Sequence, residues 1–344
     1  MNVYAYTADR ENYHEITHAT GLQMQWFYNA IGKFMLTVPA DDYNIAALEN
    51  DGILYISDFD DLTFTIQNIK YDTAENRITA NGYTSNWLLN KRAITSRVQI
   101  TNVETAVYTA VSNNLRGLPG ITLHASAGLE AETDAILYGG QLLDGIMDVL
   151  DEAEYGHRLL WDTETRSHMF EVYQGQDLTT GIHAVVFSEE QGTAAQLVIT
   201  DDNSTFKNYF YLPCRLRNGN DILVEYGSAS AGDRYEHWIR SNQTQTADET
   251  EAQFRQRMQW ECQAEASQRL RRQTFAVRVA PEDFGNAFNL GDKISCVSNR
   301  FGVEFEARIN GVKYALDSRG PQTTIILGEP QLTALNEVKL SGRY

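Results

Sequence analysis

Cysteine, basic side chains and long apolar runs are all in short supply in this chain, and each shortage excludes something. Its three cysteines, Cys214, Cys262 and Cys296, are odd in number, far apart and in no CxxC pattern. That argues against a disulfide framework or a structural zinc site and fits a chain made in a reducing cytoplasm. Lysine and arginine number 28 against 46 aspartates and glutamates, a net charge of −18. A nonspecific nucleic-acid binder must neutralise phosphates with cations, so this balance argues against one; an acidic wall would instead let DNA pass without sticking. No segment approaches the roughly 18 apolar residues that span a bilayer. The start, MNVYAYTADREN, lacks the basic-then-apolar order of an export signal. Neither a GxSxG nucleophile turn nor a glycine-rich phosphate loop occurs.

What the chain has in quantity is strand texture. GKFMLTVP (32–39), GILYIS (52–57), LTFTIQNIKY (62–71) and NRITANGY (76–83) alternate apolar and polar residues and are rich in β-branched and aromatic side chains. Residues 1–95 therefore read as a first small β-barrel. Residues 96–184 read as an α/β domain. Thr101-Asn102-Val103-Glu104 resembles a capping box, a second helix runs from about Gln141 to Tyr155 with Gly156 placed to stop it, and strands follow at 157–162 and 168–175. Strand texture returns from 185 to 330. It is interrupted at 246–272 by a helix that Thr246-Ala247-Asp248-Glu249 would cap, with Phe254, Met258, Cys262, Ala266 and Leu270 every four residues. Residues 331–344 read as a tail. The expected fold class is β-rich α+β.

The two strand-rich regions resemble each other. Phe34 aligns with Phe275, Val38 with Val279, Asp51 with Asp292, Ile53 with Ile294 and Ile56 with Val297, each pair 241 residues apart. Ile66 then aligns with Ile309, Lys70 with Lys313 and Tyr71 with Tyr314 at an offset of 243, and Gly82 with Gly328 after a further slip. Insertions fall where loops are expected, as in a duplicated fold. The predicted architecture is two similar small barrels with an α/β domain between them and a helical insertion in the second. The repeated connections, 39–52 and 280–292, are the candidate contact regions.

One stretch imitates an enzyme. His14, Glu15, His18 and Gly21 fit the first four fixed positions of the zinc-protease pattern HExxHxxGxxH, with Met24 where the third histidine belongs. Zinc binding by this motif needs a helix, because only there do residues four apart aim two imidazoles at one metal. Thr17 and Gly21 weaken a helix, TGLQMQWFY alternates like a strand, and a thioether is a poor zinc donor. The pattern is therefore set aside, and no catalytic, cofactor or metal residue is assigned. Asp58, Asp60 and Asp61 lack the glycine and glutamate of a calcium loop and read as a hairpin turn. Asp148, Asp151, Glu152 and Glu154 read as a solvated helix face, with a glycosidase-like acid pair left open.

The segments MQWFYNAIGKFMLTVPADD, IQNIKYDTAENRITANGYTSNWLLNKR and NLGDKISCVSNRFGVEFEARINGVKYALDSRGPQTTIILGEP resemble the siphophage tail hub family of the ReqiPepy type. They are also similar to baseplate hubs of contractile phage tails and to the N-terminal hub region of tail-associated lysins. The resemblance implies a structural homotrimer, made in the bacterial host cytoplasm and placed at the distal end of a virion tail. It would join a sixfold tail tube or distal tail ring to a tip, spike or receptor-binding protein, with the tape measure protein and DNA passing through and no membrane insertion. No cofactor is implied. A tail-associated hydrolase, as zinc peptidase or glycan hydrolase, and a monomeric carbohydrate-binding tail-tip protein are the alternatives.

Overall fold

A computed structural model describes residues 2–328, apart from 17, 60, 61, 119, 242, 270, 271, 301, 318 and 319. The predicted tail, Asp60, Asp61 and Leu270 thus lie outside the described residues. The strands of the N-terminal part are β1 (Val3–Tyr6), β2 (Tyr13–Ile16), β3 (Gly21–Phe27), β4 (Lys33–Pro39), β5 (Ile53–Ile56), β6 (Thr63–Asp72) and β7 (Arg77–Thr84). The middle of the chain holds β8 (Ile121–Leu123), β9 (Gly156–Asp162) and β10 (Ser167–Tyr173). After them come β11 (Val186–Phe187), β12 (Gln196–Asp202), β13 (Tyr209–Arg215), β14 (Asp221–Tyr226), β15 (Glu236–Trp238), β16 (Arg272–Val279), β17 (Lys293–Ser298), β18 (Val303–Asp317) and β19 (Gly320–Gly328). The α-helices are α1 (Asp42–Ala47), α2 (Val103–Asn114), α3 (Leu142–Glu152) and α4 (Glu251–Ser267). The protein is β-rich with few helices, in two compact units: residues up to 198 together with those from 275 on, and residues 199–274.

The main sheet is thirteen-stranded, and its main path runs β12-β16-β19-β18-β3-β4-β7-β6-β5-β1-β2. β17 lies off this path, paired with β18 and with β11. Strand order repeats within the sheet: β3-β4-β7-β6-β5 in one half matches β12-β16-β19-β18-β17 in the other. Among the described residues this path is open at β12 and β2. Two closed barrels were expected, but β3 of the first half pairs along Leu22–Phe27 with Gly311–Leu316 of β18 and so joins the halves edge to edge.

Backbone details fix the equivalence and correct the sequence alignment. Each half has a bulge at the same place, between Ile66 and Asn68 opposite β7 and between Ile309 and Gly311 opposite β19. Each bulge residue accepts a hydrogen bond from a left-handed residue: Asp51 (φ 65°) donates to Ile66 and Gly291 (φ 96°) to Ile309, both at 2.8 Å. Asp51 therefore corresponds to Gly291 and not to Asp292, and Ile56 to Cys296 and not to Val297. Burial agrees, since Ile56 and Cys296 are both inward while Val297 is half-exposed. A one-residue slip in a strand exchanges its faces, and residue identity alone concealed it. Opposite the bulges stand Gly82 and Leu327, so Gly82 corresponds to Leu327 rather than to Gly328. Gly82 is required on its own account, because a Cβ there would lie 1.9 Å from the Thr65 carbonyl oxygen.

The middle of the chain packs α2 and α3 on the small sheet β8-β10-β9. Val107, Val111, Ile146, Leu150 and Phe170 fill a core that continues into Tyr6, Ile53 and Leu89 of the first half. The N-cap of α2 is Asn102, which accepts from the Thr105 amide at 2.9 Å. The anticipated partner, Glu104, is instead buried and accepts from the amides of Ala127 and Leu129 at 2.6 and 2.8 Å. Glu154 (φ 55°), not Gly156, turns the chain after α3.

In the second unit α4 covers one face of the sheet β14-β13-β15. Phe254, Met258 and Cys262 meet Phe210, Leu212 and Val224 there. An amphipathic helix needs an apolar sheet to lie on, so the excursion from the repeat includes these strands and begins near 199 rather than at 246. The capping box is Thr250 with Gln253, four residues after the anticipated one, and Glu249 pairs with Arg257 at 3.0 Å.

Candidate functional site

The zinc-protease imitation dissolves in the backbone. His14 and Glu15 lie on β2, opposite Ala5 and Tyr4, where adjacent residues point to opposite faces. His18 sits past the strand end with φ 58°. The His14 ring packs edge-on against Tyr43 at 5.6 Å. Glu154, one of the four acids left open, is held by Arg308 at 2.8 Å and Lys293 at 3.6 Å. Arg308 and Lys293 keep its carboxyl below the ordinary range. Among the described residues no three histidine, cysteine or acidic side chains cluster as a metal site. Burial pushes the Cys262 and Cys296 thiols up to about 11, so they stay protonated and serve as packing.

The two repeated connections differ in what they meet. Residues 39–52 carry α1, with Tyr43 and Ile45 exposed at 47% and 43%. In 280–292, Phe284 packs against Trp26 at 5.8 Å and Phe288 at 6.2 Å. A cavity of about 740 Å³ opens beside it, lined by Trp26, Phe59, Asn86, His157, Arg158 and Asp292. At its base a polar seam joins the α/β part to the first half. His157 is hydrogen-bonded to Asn86 at 3.0 Å and to Asn29 at 3.1 Å, and His168 to Thr63 at 2.9 Å. Burial lowers the His157 imidazole to about 4; burial and Arg10 hold His168 well below its ordinary value. Both rings are therefore neutral spacers at pH 7.

The most distinctive geometry is a pair of unused sheet edges. On its β5 side, among the described residues, β6 is bonded from Thr63 as far as Ile66 and no further. Among the described residues its stretch Asn68–Asp72 is bonded to β7 alone. The counterpart in β18, Gly311–Leu316, is bonded on that same side by β3. Tyr71 is accordingly 51% exposed, while its equivalent Tyr314 is 7% exposed. At the other end of the path, among the described residues, β12 has a neighbour on one side only. β12 is the equivalent of β3: the Ala195 amide donates to the Arg278 carbonyl at 2.8 Å, as the Thr20 amide donates to Thr37 at 2.9 Å. The chain thus contains one made junction, β3 with β18, and the two separate halves of a second. Sequence alignment identified the repeat but not these edges, because pairing across strands leaves no local signal.

The sequence profile of the siphovirus ReqiPepy6 Gp37-like proteins matches residues 2–329. The chain belongs to that family. It is a siphovirus tail protein family, and solved structures share the fold. The tail protein from Neisseria meningitidis MC58 superposes with a TM-score of 0.57 at 12% identity, covering 95% of this chain and 96% of that one. The prophage MuSo2 43 kDa tail protein from Shewanella oneidensis gives 0.57 at 12% identity over 96% and 99%. Prophage tail protein gp18 from Listeria monocytogenes EGD-e gives 0.52 at 13% identity over 99% of both chains. No curated protein sequence matches the chain.

Proposed function

We propose that the chain is a structural, non-enzymatic hub of a phage or phage-like tail tip. Three copies form a ring that joins a sixfold tail tube or distal tail ring to a threefold tip or spike and encloses part of the channel. The observation that carries this reading is the pair of unused edges. If β12 of one copy pairs with β6 of the next, the junction already made inside each chain is repeated between chains. Thr200 then faces Lys70 as Gln25 faces Lys313, and Tyr71 is covered as Tyr314 is. Such a contact is head-to-tail and uses different surfaces on the two partners, so it generates a closed ring when its rotation divides the circle. With two equivalent halves per chain, three chains supply six similar units, which suits a sixfold neighbour. The strand geometry of His14 and Glu15 and the protonated, buried cysteines favour this over the hydrolase alternative. On this reading the tape measure protein and DNA pass through the ring, and the tip, spike or receptor-binding protein is held on its distal side.

The test is covalent. Tyr71→Cys together with Ile199→Cys puts one thiol on each edge at positions that oppose each other in the proposed pairing, and the native thiols are buried. Mild oxidation of the purified double variant gives disulfide-linked species ending at three chains on non-reducing electrophoresis, and neither single variant does so. A ladder running past three, or no crosslink, defeats the proposal.

A further inference from the structure

Among the described residues, the exposed face of the repeated sheet has a charge opposite to that of the whole chain. Cross-strand partners share a face, and the pairs Lys313 with Gln25, Gln25 with Lys33, Lys70 with Thr79 and Arg77 with Asp72 therefore define one surface. Its other side is the buried one, with Leu22, Leu36, Val38 and Ile78 inward. Arg278, the equivalent of Thr37, alternates with buried Val277 and Val279 and so joins the exposed surface. Between the bulges and the hairpin ends, the described charged side chains on this face are Lys33, Lys70, Arg77, Arg278 and Lys313 against Asp72. Arg77 is met by Glu75 at 2.5 Å and Lys70 by Asp72 at 3.7 Å. Desolvation against the sheet, and then the Lys33 ammonium, lower the Lys313 amine. Two cations facing each other across Gln25 in a chain of net charge −18 are a cost that a visiting anion would relieve.

Lys70 and Lys313 are also equivalent residues, each two positions beyond its bulge, at Asn68 and Gly311. Resting on the hub reading above, we infer that Lys70 and Lys313, two from each of three chains, form one level ring of six ammonium groups in the channel, and that this ring contacts the phosphate backbone of double-stranded DNA in passage. Lysine suits that task, being a mobile point charge on a flexible stem that meets phosphates without reading bases. The amides of Gln23, Gln25, Asn68 and Asn81 on the same face add neutral, sequence-blind partners. The acidic remainder of the chain keeps the contact weak enough for transit.

The inference is tested on rings tied through Tyr71→Cys and Ile199→Cys, with a short fluorescent DNA duplex as the probe and anisotropy as the readout. Tied trimers bind the duplex at low salt. With up to six phosphates neutralised, affinity falls roughly a thousandfold between about 50 and about 200 mM salt. Lys70→Gln with Lys313→Gln in the same tied ring removes most of the low-salt affinity and flattens the salt dependence, whereas Lys207→Gln changes neither. A tied trimer that ignores DNA, or one indifferent to the two substitutions, overturns the lysine ring and leaves the hub standing. A chain that cannot be tied into threes overturns both. Displacement of the duplex by polyglutamate at equal charge assigns the ring to an acidic polypeptide and overturns the DNA assignment.

Discussion

His157 and His168 are two of the residues through which acid acts on this fold. His157 is buried at 2% exposure and titrates near 4 in the folded chain, against about 6.5 unfolded. Between those values the unfolded chain binds the extra proton, so the stabilisation is complete above 6.5 and is lost as pH falls toward 4. The shift corresponds to about 3 kcal/mol for His157, and His168 adds in the same direction. The urea midpoint therefore falls between pH 7 and pH 4.5, and His157→Gln, which keeps an amide between Asn86 and Asn29, flattens that fall. A midpoint independent of pH refutes the seam's role. Neither histidine stood out in the sequence, because nothing local to HRLLWD or HMFEVY says that Asn86 or Thr63 will lie against it. His14 and His18 stood out for the opposite reason: a motif is a spacing, and spacing carries meaning only once the backbone is known to be helical.

At the scale of elements, strands were legible and their junctions were not. The run at 32–39 announces β4 by alternation, and burial in β4 follows it, with Phe34, Leu36 and Val38 inward. The helix stripe Phe254, Met258 and Cys262 likewise became the inward face of α4. The caps were misread by one to four residues, since Thr and Asn near a helix start offer the same chemistry and tertiary contacts choose between them. Glu104 shows such a choice, spending its carboxylate on the 127–129 loop. Two expectations belong here. Phe254→Ala removes one of the two buried phenylalanine rings of the small second-unit core and costs about 3 to 5 kcal/mol. Hydrogen exchange then quickens across 209–267 before the thirteen-stranded sheet is affected, and uniform quickening would contradict two units. Tyr71→Lys places a charge on the free edge of β6 where its equivalent is buried. Edge charges block strand addition, so solution mass shifts toward a single chain while the melting temperature of that chain stays within a degree or two of wild type; an unchanged assembly rules the edge out as a contact.

For the whole molecule, duplication is the organising fact. It was readable in Phe34 and Phe275 or Lys70 and Lys313 because core and turn residues drift slowly in character. It was misregistered at Asp51 and Gly82 because single-residue slips in a strand barely change identity matches. Only the paired bulges, with their left-handed neighbours Asp51 and Gly291, fixed the register. The family and the fold of tail proteins follow from the comparisons, whereas the ring and its channel rest on two strand edges. One consequence of those edges reaches beyond assembly. Every second joint of the proposed collar is β3 against β18, welded within one polypeptide, and only the alternate joints are separable. A six-sided wall so built can part in just three leaves, which gives its opening the symmetry of a spike rather than that of a tube.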